Sequence, residues 1–240
     1  MFPGHEVLLI LLSFFTEILG TLSGFGSSVL FVPAAVFLEE FKTVLVLTSM
    51  LHVFGNISKL FLFRGYLSIK TFLLLILPTV LFTGVGAWVV DLADPQLFRA
   101  AFGVVLILFS LLMFFRKKIE SKINKSQAIV FSSISGFLTG FFGTGGAIRG
   151  VALFGLGLSA QSFIVTSAAI DIFGDVLRAG IYLKNGYLKS EHFFYLPIFI
   201  VITFLASWIG KIILKKITQK QFEKIVLLMI AVSGLIMLFS

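Results

Sequence analysis

Two sets of three polar side chains fall inside apolar stretches, and their spacing is the same in both. Asp171, Asp175 and Arg178 lie in the stretch 162–183. Separations of four and three residues put them on one face of a helix. In a matching earlier stretch, His52, Asn56 and Lys59 occupy the corresponding positions. A charge at bilayer depth costs roughly 3 kcal/mol even on the lenient insertion scale, so it faces a partner or a wet path. Asp175 is therefore either part of a transport pathway or the structural partner of Arg178. Both halves place a cation at the third position, which favours a functional reading of Lys59 and Arg178. The bland alternative is that both snorkel to the interface.

Glycine-rich breaks supply the second kind of chemistry. One is Gly24-Phe25-Gly26-Ser27-Ser28 and the other Gly143-Thr144-Gly145-Gly146. Glycine lets the backbone leave helical geometry and approach a ligand. The helix that follows begins with unpaired N–H groups and a partial positive charge, which together seat an anion. Two such starts would form a cradle near mid-membrane, with Gly24, Gly26, Ser27, Ser28, Gly143, Gly145 and Gly146 as its backbone. The structural alternative is close packing of helices at small residues. Arg149, one turn past the second break, is either an anion ligand, through bidentate guanidinium contacts, or the counter-ion of Asp171 or Asp175. Asn56, Lys59, Arg149 and Arg178 are taken as substrate ligands. His52, Asp171 and Asp175 are taken as charge relay or counter-ions. Glu17 could accept a proton, or could lie near an interface. No serine sits with a histidine and an acid in a catalytic pattern, so no enzyme activity is expected. Cysteine is absent and the three histidines are scattered, so neither a metal site nor a cofactor is expected.

Positioning these groups falls to a membrane-embedded scaffold. The 240 residues are 58% hydrophobic and 12% charged, about half the charge of a soluble domain. Apolar segments run 7–24, 27–38, 43–63, 69–90, 97–115, 127–142, 146–158, 162–183, 193–210 and 222–239. Most are long enough for the roughly 20-residue helix that a bilayer demands. The segments 27–38 and 146–158 are short, and each follows a glycine break. Short, interrupted segments at matching places in two halves point to a transport site. An offset of 119 pairs Gly24 with Gly143, Gly26 with Gly145, Gly55 with Gly174 and Lys59 with Arg178. Small gaps later, Gly65-Tyr66-Leu67 matches Gly186-Tyr187-Leu188, and Trp88 matches Trp208.

Charge sets the expected orientation. The net charge of +8 resides largely in connectors, as retention of Lys and Arg in the cytoplasm produces, and no basic stripe suits nucleic acid. The run from Arg116 to Lys125, the Lys211–Lys220 cluster, and Arg64 with Lys70 are placed in the cytoplasm. Glu39, Glu40, Asp91 and Asp94 are placed outside, together with Lys184 and Lys189. This requires an odd number of crossings per half and inverted halves, with both termini extracytoplasmic. The first apolar run lacks a basic leader and a cleavage site and is read as a retained helix.

The chain resembles the sulfite exporter TauE/SafE family of membrane permeases over nearly its whole length. The resemblance rests on Gly24-Phe25-Gly26-Ser27-Ser28 with Pro33, on Gly143-Thr144-Gly145-Gly146-Ala147, and on the Thr48-Ser49 and Thr166-Ser167 steps. Ser27-Ser28 stand where the family pattern has glycines, Ala152 where it has proline, and Arg149 is outside the general pattern. What the resemblance implies is movement of sulfite or organosulfonates, usually outward.

The expectation is an all-α integral membrane protein of two inverted helical repeats, 1–115 and 127–240, joined by a cytoplasmic basic connector at 116–126. It would be a secondary transporter in the cytoplasmic membrane, an exporter of small sulfur-containing or organic anions such as sulfite or sulfonates, with the outward direction implied by the family resemblance. Its partners would be a small anion and the lipid bilayer, with proton or ion coupling and oligomeric state left open. The alternatives are a channel-like pore and a non-transporting anchor subunit.

Overall fold

In the computed structural model, residues 3–92 and 123–218 are described, together with isolated positions 101, 103, 104, 107, 108 and 221. The apolar segments 97–115 and 222–239 and most of the basic connector lie outside the described residues. Regular structure among the described residues is helical. The first half contributes α1 (Pro3–Ser23), α2 (Ser28–Ala35), α3 (Phe41–Phe63) and α4 (Ile69–Val89). The second contributes α5 (Lys125–Phe142), α6 (Gly146–Gly155), α7 (Ala160–Lys184) and α8 (Tyr195–Leu214). The short helices α2 and α6 fall where the interrupted segments were expected.

Local chemistry sets the ends. Asn124 and Gln127 form a reciprocal capping box at the start of α5, each side chain accepting from the other's backbone N–H at 2.9 Å. The helix stops at Gly143, whose φ of 77° is left-handed, a conformation that side chains resist. In the first half, Gly24 and Gly26 turn the chain at φ 69° and 90°. Buried threonines satisfy their hydroxyls on the carbonyl four residues back, as Thr79 does on Leu75 and Thr203 on Phe199. Those hydroxyls then need no partner from outside their own helix.

Spans Gly4–Ser23, Phe41–Tyr66, Ile69–Leu92 and Ser190–Leu214 are long and apolar enough to cross a bilayer. On α4, Leu73, Leu77, Leu81, Val85 and Trp88 form an exposed stripe, the spacing of one helix face. The lipid-facing surface is therefore apolar, and polar groups turn inward. α7 carries Asp171, Asp175 and Arg178 and is packed against α3 and α4.

Packing partners exchange between the halves. α4 packs on α5 and α7, while α8 packs on α1 and α3. α3 and α7 pack on each other antiparallel: Thr43 donates to the Tyr187 carbonyl at one end, and the Ser68 N–H donates to Thr166 at the other. The end that holds the start of α3 carries Lys42 paired with Asp91 at 2.6 Å and Lys189 near Glu40 at 3.6 Å. Tyr187 donates to Asp91 there at 2.7 Å. Burial, and then that hydrogen bond, raise the Tyr187 hydroxyl above its ordinary range, so it stays a donor. At the opposite end Lys211 donates to the Leu62 carbonyl at 2.6 Å.

The α4–α5 crossing is a close backbone approach. A Cβ added at Gly136 or Gly140 would overlap the carbonyl oxygens of Thr79 or Thr83, so the helices meet through small residues. Gly136→Ala and Gly140→Ala should each lower stability by about 1–3 kcal/mol through overpacking, read as earlier thermal unfolding in detergent. Gly180→Ala, where nothing lies within 4 Å, is the control and should unfold no earlier than wild type. Identical unfolding of all four proteins would refute the crossing.

Candidate functional site

The two glycine breaks meet. Phe25, inside the first, sets its carbonyl against Gly146 and its ring against Gly150, so closely that a Cβ at either glycine would overlap it. The Phe25 ring also meets Phe163 of α7 edge-on, with centroids 5.5 Å apart. Around this junction lie the polar residues of α3 and α7, near the middle of each helix.

One network links both halves. Arg178 donates through Nε to Asp175 Oδ1 at 2.8 Å and through Nη1 to the Thr139 carbonyl at 3.4 Å. Asp175 Oδ2 accepts from Asn56 at 2.9 Å. Asn56 accepts from Lys59 at 3.5 Å, and Lys59 pairs with Glu17 of α1 at 2.7 Å. Glu17, Asp175 and Arg178 are each 0% exposed and Lys59 3%, which excludes snorkelling for both cations. Gly55 makes room for the Glu17 carboxylate, since a Cβ there would collide with it. Ser207 of α8 lies within 3.4 Å of the same carboxylate, but its Oε2 has no hydrogen-bond partner.

A second pair lies on α6 and α7. Arg149 is fully buried and pairs through Nη2 with Asp171, while its Nε donates to Ser167 at 3.1 Å. Its Nη1 has no hydrogen-bond partner. Asp171, of the two carboxylates considered for Arg149, is the one it pairs with here. Among the described residues, Lys59, Arg149 and Arg178 thus each face one carboxylate.

The two short helices begin differently. At α2 the Ser28 N–H donates to His52 Nε2 at 3.1 Å, so a side chain occupies the first donor expected to face an anion. At α6, Ser135 donates to the Gly145 carbonyl at 2.7 Å and Gly146 lies against the Phe25 backbone. Gly143 approaches Val32, Leu45 and the Arg178 guanidinium. Gly24 lies against Phe163 and Gly26 against His52.

Sequence reasoning did not find the partners: Ser167 for Arg149, the Thr139 carbonyl for Arg178, Lys59 for Glu17. Ser167 carried a usable signal, standing four residues before Asp171 on the same face. The Glu17–Lys59 pair carried none, because nothing local relates residues on different helices. Among the described residues, no three His, Asp or Glu side chains gather as a metal ion would require. An apolar groove of about 360 Å³ between α3 and α8, lined by Phe54, Ile57, Phe61 and Phe204 among others, opens on the outer flank and not at the breaks.

A family model described as sulfite exporter TauE/SafE matches residues 9–237. The chain belongs to the TauE/SafE family. No curated protein and no solved structure matches it. Membership makes this TauE/SafE protein a multi-pass member of a family of membrane permeases for sulfite-like anions.

Removing one partner of a buried pair strands the other charge at a cost of about 3–5 kcal/mol, whereas replacing both with neutral groups is far milder. Lys59→Met should therefore unfold early in a thermal scan, and Glu17→Gln added to it should recover most of the loss. No recovery would mean that Glu17 is not the partner of Lys59.

Proposed function

We propose that this TauE/SafE protein is a secondary transporter that exports a small sulfur-containing or organic oxyanion, such as sulfite or a sulfonate, across the cytoplasmic membrane. The carrying observation is that two glycine breaks meet in a core where Lys59, Arg149 and Arg178 are each matched by a single carboxylate. Such a core holds positive groups in place while the protein waits for substrate. An incoming oxyanion takes the position of a carboxylate beside a guanidinium, and Arg149 Nη1, buried and unpartnered, is one donor already available. Gly24, Gly26, Ser27, Ser28, Gly143, Gly145 and Gly146 supply the backbone of the site, and Asn56 lies between the two halves. Asp171, Asp175 and His52 hold the cations when substrate is absent.

The scaffold is read as two inverted repeats, 1–115 and 127–240, joined at 116–126 and rocking in alternating access. The antiparallel α3–α7 contact and the exchange of packing partners support this reading. The end bearing Arg64 and Lys211 is assigned to the cytoplasm, which puts both chain termini outside. Lys42 and Lys189, on the other side, are met there by Asp91 and Glu40.

Reconstituted protein should carry sulfite or methanesulfonate with saturable kinetics and against a gradient when one is imposed on its coupling ion. Arg149→Ala and Arg178→Ala should each cut flux at least about tenfold, a loss of about 1.4 kcal/mol in the limiting step. Undiminished flux in both variants would remove these residues from the site, and flux that never saturates would favour a pore. Because the chain has no cysteine, Lys189→Cys and Lys216→Cys report orientation directly. An impermeant thiol reagent applied outside intact cells should label the first and spare the second; the reverse pattern would invert the assigned topology.

A further inference from the structure

The contact between His52 and the start of α2 has the form of a switch between proton and anion. A backbone N–H can only donate, so His52 Nε2, which accepts from Ser28 at 3.1 Å, carries no proton in this arrangement. The ring is 6% exposed. Gly26, at φ 90°, brings the chain against it, and a Cβ there would lie 3.2 Å from Cε1. Beside this contact Ser27 Oγ, at the N-cap of α2 and 1% exposed, has no hydrogen-bond partner. The helix start therefore holds one donor capped by a titratable side chain and one hydroxyl with nothing to bind.

We propose that His52 is the coupling-proton site of the transporter, and that one proton enters at Nε2 together with each anion bound at the α2 N-terminus. The proposal rests on the permease reading and adds the coupling ion to it. Protonation turns Nε2 from acceptor into donor, so the Ser28 N–H and the ring N–H then confront each other. An anion oxygen between them accepts from both, and Ser27 Oγ is placed to donate to the same ligand. When the anion leaves, the proton leaves with it and the Ser28 N–H returns to Nε2.

The surroundings of the ring favour the coupling. Nδ1 faces Asp175 Oδ2 at 3.8 Å and Arg178 Nη2 at 3.5 Å, both from α7. Lys59 on its own helix and Arg149 from α6 also act on the ring electrostatically, while Glu17 of α1 reaches this cluster through Lys59. A proton on His52 adds a further positive charge among three cations already matched by carboxylates. An anion arriving at the same place offsets it, so each ligand favours the other, and the linkage is reciprocal.

Full-length protein in liposomes with a trapped pH dye tests this, using sulfate and methanesulfonate, neither of which changes charge near neutral pH. Wild type should move one proton in the same direction as each methanesulfonate. Its half-saturating anion concentration should fall about tenfold per unit of acidification while the ring is neutral. His52→Gln, whose amide oxygen can accept from Ser28, should lose both the co-moving proton and the pH slope. Wild-type anion flux without a proton, or a variant that keeps the wild-type slope, overturns the proposal and leaves the permease reading standing. If the variant carries nothing, methanesulfonate binding to wild type by calorimetry in two buffers of different ionisation enthalpy decides: uptake of one proton supports the proposal and uptake of none overturns it. A wild type that carries neither anion at any pH removes the permease reading, and this proposal falls with it.

Discussion

A charge inside the lipid layer must find its opposite within the protein, and the architecture follows from that constraint. The Asp175–Arg178 pair, with Asn56 on one side and the Thr139 carbonyl on the other, ties α3, α5 and α7 together in the protein interior. Apolar packing alone would not choose this arrangement, because lipid tails are as apolar as the leucines they would replace. The buried pairs do choose: displacing α1 from α3 would strand Glu17 and Lys59, displacing α6 from α7 would strand Arg149 and Asp171, and Asp175 with Arg178, both on α7, would lose Asn56 and the Thr139 carbonyl. Their value lies in specifying which helices meet more than in raw stability.

Small residues let those pairs form. Gly55 admits the Glu17 carboxylate beside Lys59, and Gly136 and Gly140 let α5 close on α4. The glycines at the two breaks do something different. They turn the chain and bring the Phe25 backbone onto Gly146, so that two short helices start close to one another. The proposed substrate site rests on that meeting of helix starts beside the buried ion pairs.

The core is self-satisfied to an unusual degree for a binding site, and the exceptions are informative. Among the described residues, Glu17 Oε2, Ser27 Oγ and Arg149 Nη1 lack hydrogen-bond partners, as do Ser132 Oγ and both ring nitrogens of His192. Leaving a buried polar atom unpaired is costly, and the first three belong to the residues of the proposed site. In the proposed site, carboxylates and an imidazole occupy the positions assigned to the oxyanion, and so keep the cations matched when it is absent.

Much of this was legible in the residues. Hydrophobic run length, glycine breaks at a constant offset and the three-and-four spacing of Asp171, Asp175 and Arg178 are local signals. They gave the eight described helices to within a few residues at each end, and they gave both short helices. Composition was enough to put the chain in a membrane, and the break motifs were enough to suggest its family. Which charge meets which was decided only by the tertiary structure. Glu17 faces Lys59, Arg149 faces Asp171 and not Asp175, and His52 caps Ser28, because those contacts depend on how separate helices are rotated and how deeply they sit. Hydropathy constrains a helix to face lipid or core but leaves its partner open, whereas an ion pair is made or lost over a few ångströms of depth.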